Sequence, residues 1–370
     1  MKVKLGDIFE IGSGGTPSKS HPEYYGGNIP WVKTGDLKTT YLYNVEDFIT
    51  EEGLNNSSAK MYEPDTVLIA MYGATIGATS ILKINACTNQ ACAAFKPNNR
   101  VLPEYLYYFL QSKRNEFIKD GVGGAQPNIS AGYLKNVCME LPVLENQKEI
   151  VEVLNRVADV IKMRKQELIK LDNLIKARFV ELFGNPLDSN KVNYIFTECV
   201  EFNPKKSEVK DLQDVEVSFV PMECVGVDGS FSIKETGLVS DYYSGYTYFR
   251  DGDVLLAKIT PCFENGKVAI ATDCMNGIGF GTTEFHVSRP LKGITNSVWI
   301  KYLLKNDMVH DLATINMSGS AGQKRIQTPF FNKLKVYVPP IEEQERFADF
   351  VHQVDKSKFK EMLYHMLYYI

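Results

Sequence analysis

One order of elements occurs twice in this chain, and a repeat on that scale limits the possible architectures more tightly than any single motif. The run Gly252-Asp253-Val254-Leu255-Leu256-Ala257-Lys258 answers Asp65-Thr66-Val67-Leu68-Ile69-Ala70-Met71, and each reads as a short buried strand. Residues 298–304 answer 105–110, which lie in an aromatic-rich helix expected over 104–118 with Pro103 in its first turn. The glycine-rich loop 318–326 answers 121–129 and aligns Gln323 with Gln126. Finally, Val338-Pro339-Pro340-Ile341-Glu342-Glu343-Gln344 answers Leu141-Pro142-Val143-Leu144-Glu145-Asn146-Gln147, a shared Pro-x-x-x-x-Gln that leads into a helix. The period, about 190–197 residues, is a whole domain plus a helix, so it predicts duplication with pseudo-twofold symmetry rather than a solenoid.

The helix between the copies carries its own constraint. Ile150, Leu154, Val157, Ile161, Arg164, Leu168, Leu171, Ile175, Arg178 and Leu182 alternate steps of four and three, and only the two arginines interrupt the apolar stripe. That is a heptad seam, narrow enough to suit one partner helix. About 38 residues at 1.5 Å each make a rod of roughly 57 Å. Phe183-Gly184-Asn185-Pro186 ends it with a C-cap glycine and a proline. The expected partner is the C-terminus, where Phe347, Val351 and Val354 repeat Ile150, Leu154 and Val157 at one constant offset. If each head sits at its own end of the helix pair, the two helices must run antiparallel.

The expected class is therefore α+β: two mixed α/β heads, 1–144 and 184–341, joined by a central helix over 145–183 and a C-terminal helix over 342–370. Beyond Val354 the second helix stops mirroring the first, because Lys358, Glu361 and His365 fall where Ile161, Arg164 and Leu168 stood. A stripe of Phe359, Met362, Met366 and Tyr369 takes over, as a stutter would produce, and the far end of the seam is expected to be unpaired.

Composition and motifs argue against catalysis. The formal net charge is −4, so a nucleic-acid binder on these numbers must concentrate positive charge locally or borrow it from a partner. The 7 cysteines form no C-x-x-C pair, as expected for reduced thiols, and the lack of any long apolar run predicts a cytoplasmic protein. Gly12-Ser13-Gly14-Gly15-Thr16-Pro17 only begins like a dinucleotide loop, and Gly266-Lys267 is followed by Val268 where a P-loop needs Ser or Thr. The 5 histidines form no H-E-x-x-H. The Asn/Asp-Pro-Pro-Tyr clamp of amino-methyltransferases is absent, and Pro64-Asp65 lacks the Glu-x-Lys of a nuclease metal cluster. These residues predict a binder.

The doubled head and helix resembles the specificity subunit of type I restriction-modification systems over essentially the whole chain. In the first head the resemblance is carried by Lys4-Leu5-Gly6-Asp7-Ile8, Ser13-Gly14-Gly15-Thr16-Pro17 and Ile29-Pro30-Trp31-Val32-Lys33-Thr34-Gly35-Asp36-Leu37. In the second it is carried by Gly245-Tyr246-Thr247, the run from Asp251 through Cys262, and Glu264-Asn265-Gly266-Lys267. The resemblance implies two target recognition domains, each reading one half of a split double-stranded DNA sequence. It implies methyltransferase subunits docked on the helices and motor-nuclease subunits joining that core. S-adenosylmethionine, ATP and Mg would then be bound by those partners, and this chain would have no active site.

Candidate DNA-contacting residues are the polar tips of the glycine-rich loops, Gln126, Asn128, Gln323, Lys324 and Arg325. Glycine lets backbone approach a duplex, while amide and guanidinium forks match purine edges. Lys33, Thr34, Tyr72, Thr75, Lys258 and Lys267 follow predicted strands, where loops present side chains. Tyr105, Tyr108, Trp299 and Tyr302 read as core rather than as stacking platforms. Two rival readings are a stand-alone DNA-modifying enzyme with an unfamiliar site and a two-headed scaffold that does not bind DNA. Salt-dependent duplex binding separates the second of these from a specificity subunit.

Overall fold

A computed structural model describes residues 1–121, 128–320 and 322–367, with side chains through residue 358. Gln126 and the stripe from Phe359 onward therefore lie outside the described residues or side chains. Contacts divide the chain into two compact units, Met1–Met163 and Arg164–Ile370, with the division falling inside the long helix.

In the first unit the strand Val67–Ala70 is apolar throughout and buried on both faces, so it must lie inside a sheet with both faces covered. It pairs antiparallel with Cys92–Phe95, Val67 opposite Phe95, and with Thr79–Leu82, within a five-stranded sheet. A second, four-stranded sheet is built on Tyr25–Val32, which runs parallel to Ala86–Thr88 with Trp31 opposite Cys87. Leu106 and Leu110 press the helix Pro103–Ser112 onto the same core as Val67, Ile69 and Phe95. The single helix expected over 104–118 is in fact two, Pro103–Ser112 and Arg114–Asp120. Lys113 joins them at φ −89 and ψ −1, with ψ roughly 40° from the α-helical mean, and the turn allows Phe117 to bury with 1% of its surface left exposed.

The second unit repeats this order. Val254–Ala257 is again buried on both faces, between Phe285–Pro290 and Val268–Ile270 in a four-stranded sheet. Another four-stranded sheet holds one parallel pair, Glu216–Val220 beside Ile278–Gly281, the counterpart of Tyr25–Val32 beside Ala86–Thr88. The helix Ser297–Leu304 covers the central strand and fully buries Trp299. Its N-cap is Asn296, whose Oδ1 accepts the Trp299 amide at 2.8 Å.

The repeated Pro-x-x-x-x-Gln has a physical reason. Gln147 and Gln344 are both fully buried. Gln147 Oε1 accepts the Leu102 amide, and its Nε2 donates to the carbonyls of Arg100 and Pro142, all at 2.9 Å. Gln344 Oε1 accepts the Asn296 amide at 3.0 Å, and its Nε2 donates to the carbonyls of Ile294 and Pro339 at 2.8 Å. In each unit one amide side chain ties the start of a long helix to the residue that precedes the sheet-covering helix. A buried amide needs partners for both its donor and its acceptor, and no other side chain of this length supplies both from one position.

The long helix spans Leu144–Phe183, and the C-terminal helix spans Ile341–Leu367. Within the second unit they run antiparallel: Phe347 meets Phe179 and Phe183 at 5.5 and 5.6 Å between ring centroids, whereas Lys358, further along, reaches Asp172 at 2.6 Å. Ile175, Phe347, Val351 and Val354 bury there, while Leu168 and Leu171 are half-buried. Leu182 departs from the expected seam, with 37% of its surface exposed, and Phe179 and Phe183 take the buried positions. An α-helix drifts about 20° per heptad from a strict seven-residue repeat, and two steps of four from Ile175 restore the buried face.

Ile150 in the first unit also departs from the seam and is 40% exposed. There the buried face runs through Gln147 and Val151, and the Tyr108 hydroxyl donates to Asn155 Oδ1 at 2.7 Å. Leu154, Val157 and Ile161 are half-buried. Where the mirror fails at Lys358, the ammonium sits between Asp172 and Asp355, so an ion pair replaces the apolar contact.

Candidate nucleic-acid interface

The end of each central strand carries a loop that returns to it. In the first unit the Ile129 amide donates to the Met71 carbonyl at 3.0 Å, and Tyr72 and Asn128 form a one-residue bridge. In the second unit the Ile326 amide donates to the Lys258 carbonyl at 3.0 Å, and Ile259 bridges Arg325 in the same way. The glycine-rich loops are thus held at their trailing ends on the exits of the two strands, and side chains on either side of each bridge share one surface.

Tyr72 and Asn128 are exposed next to each other in the first unit. The Thr75 hydroxyl donates to the Tyr72 carbonyl at 3.1 Å, closing a short turn, Gly73–Thr75. Lys33 and Thr34 leave the neighbouring strand Tyr25–Val32. The Lys33 ammonium lies 2.7 Å from Asp47 and 5.0 Å from the Trp31 ring centroid, so its charge is partly committed inside the protein. Thr34 and Thr75 come together on one groove.

Lys258, Lys324 and Arg325 are contiguous in the second unit, because the Thr260 amide also donates to the Lys324 carbonyl at 2.9 Å. Gln323 and Lys324 are exposed. Arg325 is not free: its Nη2 and Nε donate to Glu284 at 2.8 and 3.0 Å, and its Nη1 donates to the Gln323 carbonyl at 3.0 Å. The guanidinium hydrogen bonds hold the Glu284 carboxyl below its ordinary range. Burial lowers the Lys258 ammonium, with Glu284 opposing that shift. Lys267 stands apart from this cluster, opposite Ala257, and donates to the Met222 carbonyl at 3.0 Å.

The role of Glu284 in fixing Arg325 had no sequence signal, since the two are 41 residues apart and neither belongs to a motif. Lys38 and Arg114, which line the groove with Thr34 and Thr75, were also missed. A helix read straight through Lys113 concealed the turn that places Arg114. The tyrosines and tryptophan are structural: Trp299 is fully buried, the Tyr105 hydroxyl donates to the Glu140 carbonyl, and Tyr302 packs on Phe347. Among the described residues no cluster of His, Cys, Asp or Glu could hold a metal ion, and no helix is long and apolar enough to cross a membrane.

Residues 1–173 and 191–362 match the type I restriction modification DNA specificity domain, once in each half of the chain. The chain belongs to that family. Relatives in the type I specificity family include the EcoAI specificity subunit of Escherichia coli, 44% identical over 154 residues that make up 40% of this chain and 25% of that relative. The MjaIX specificity subunit of Methanocaldococcus jannaschii is 32% identical over 218 residues, 57% of this chain and 50% of the relative. The matched stretches therefore span a quarter to a half of these specificity subunits' own lengths. A chain solved in a study of "complex assembly and conformational transition of the type I R-M system" shares the fold. It gives a TM-score of 0.56 at 16% identity, with 97% of this chain and 91% of that chain covered.

Proposed function

We propose that this chain is the DNA-recognition subunit of a type I restriction-modification complex, with each unit reading one half of a bipartite, asymmetric duplex target. The observation that carries the reading is the doubled platform, a glycine-rich loop fixed by backbone bridges to a strand exit and present once in each family-matched half. Two unequal platforms suit two unlike half-sites. With Arg325 held by Glu284, base readout falls to exposed side chains such as Asn128, Gln323 and Lys324, whose amide and ammonium groups match purine edges.

The chain itself is non-catalytic in this reading. Methyltransferase subunits dock on the helices, motor-nuclease subunits join them, and S-adenosylmethionine, ATP and Mg belong to those partners. The formal net charge of −4 agrees with partners that supply most phosphate contacts, and the work is done in the cytoplasm.

Mapping methylated adenines in the source genome with and without the gene tests the proposal. Loss of one bipartite methylation pattern is expected, and an unchanged methylome would sink it. Exchange of residues 1–144 for the corresponding segment of another family member should then alter one half-site and leave the other intact. Changes at both halves would show that the units do not read independently.

A further inference from the structure

Thr34, Lys38, Thr75, Tyr107, Gln111 and Arg114 line a groove of about 510 Å³ in the first unit. Its charge is all of one sign: among the described residues lining it, two are cationic and none is acidic. Lys38 and Arg114 are exposed, and neither has an ion pair among the described residues. Asp36, in the same turn as Thr34, spends its carboxylate on the Lys33 amide at 2.7 Å, and Glu116 pairs with Lys113 at the same distance. The Arg114 stem lies against Gly77, where a Cβ would stand 2.7 Å from the Arg114 Cγ and where φ is +77. Backbone without a side chain thus lets the Arg114 stem pack closely beside the groove it lines.

A groove in the second unit is bordered by the long helix as well as by residues near the sheet-covering helix, and its chemistry is different. Asp228, Glu264 and Asp307 line it together with Lys176 and Lys305. Its cations are already used, because Lys305 donates to the Val227 carbonyl at 2.9 Å and Lys176 lies 3.6 Å from Asp307. A free positive groove is therefore a property of the first unit and not of the fold.

We infer that the first unit's groove seats a backbone phosphate of the bound duplex, held by Lys38 and Arg114. Thr34 and Thr75 place the groove beside Tyr72 and Asn128, so a strand read by that platform has its phosphates within reach. Contacts to phosphate fix register and carry no sequence information, so the two cations act as positioning residues for the neighbouring readout. The inference rests on the DNA-recognition reading and adds the groove to it.

The test uses the full chain assembled with its methyltransferase subunits. Affinity is measured for the mapped target duplex and for an unrelated duplex between about 50 and 200 mM salt. Lys38→Gln and Arg114→Gln should each reduce the slope of log K against log salt, with a total loss of roughly one in the double variant, and weaken both duplexes alike. The ratio of target to unrelated affinity should stay constant. Lys96→Gln, the same charge change at a side chain paired with Glu10 at 2.7 Å, should leave the slope unchanged. The groove is refuted if neither groove variant moves the slope, if Lys96→Gln moves it equally, or if the ratio shifts. Inorganic phosphate at matched ionic strength should compete no better than chloride; specific competition lost in the double variant would make the groove a free-phosphate pocket and overturn the duplex assignment. A wild-type complex with no preference for any duplex would instead sink the DNA-recognition reading, and this site with it.

Discussion

Replacing Gln344 by leucine is expected to destabilise the second unit by roughly 3–5 kcal/mol, although the two side chains are similar in size. The substitution strands the Asn296 amide and the carbonyls of Ile294 and Pro339 in a fully buried site. Each orphaned buried polar group costs about 1–3 kcal/mol. Leucine recovers only about 1–2 kcal/mol by burying more apolar surface. Denaturant unfolding should show the loss, and hydrogen exchange at the Asn296 amide should rise from core-like protection towards that of an exposed turn. Gln147→Leu should do the same to the first unit through the Leu102 amide. A change below about 1 kcal/mol in either variant would mean that water or a relaxed backbone replaces the clamp.

The glutamines also show what the sequence made legible. Both stand out as a repeated letter in the chain alone, because equivalent hydrogen bonding twice over leaves a repeat in the sequence. Strand positions such as 67–70 and 254–257 were legible for a similar reason: burial on both faces demands an unbroken apolar run. The seam was legible only in part. Heptad spacing places Ile175 correctly, but the choice between Leu182 and Phe183 depends on Phe347 of the C-terminal helix, whose edge contacts with Phe179 and Phe183 local periodicity does not encode. The site was least legible, because its character comes from pairings between distant residues. Arg325 looks like a base-reading fork until Glu284 is found beside it, and Arg114 looks like a helix-surface charge until the turn at Lys113 is known.

Acidification should cost the second unit about 3 kcal/mol between pH 6.5 and pH 4 through one residue, His286. The ring is nearly fully buried, and both nitrogens are committed in a neutral form. Its Nε2–H donates to the Ile326 carbonyl at 3.0 Å, while Nδ1 accepts from the Asn203 side-chain amide at 3.3 Å. That amide cannot turn its oxygen to the ring, because Asn203 Oδ1 already accepts the Val287 amide at 3.0 Å. A second ring proton would therefore be buried facing a donor. Burial, helped by the nearby Lys258 charge and opposed by the Ile326 hydrogen bond and Glu284, pushes the imidazole down to about 4. The folded value lies below the unfolded one, so the unfolded chain binds the extra proton first. Stability is complete above about pH 6.5 and is lost as pH falls towards 4, at about 1.4 kcal/mol per unit. His286→Phe, which keeps the aromatic contacts with Phe202 and Phe331, should lower stability at neutral pH but flatten its dependence over this window. The Nε2–H bond to the Ile326 carbonyl survives protonation, whereas the added proton on Nδ1 faces the Asn203 amide. Protonation should therefore push Asn203 off the strand Phe285–Pro290 before the rest of the unit unfolds, raising exchange at the Val287 amide ahead of the core strand 254–257. Equal pH dependence in wild type and His286→Phe would assign the acid sensitivity to other groups.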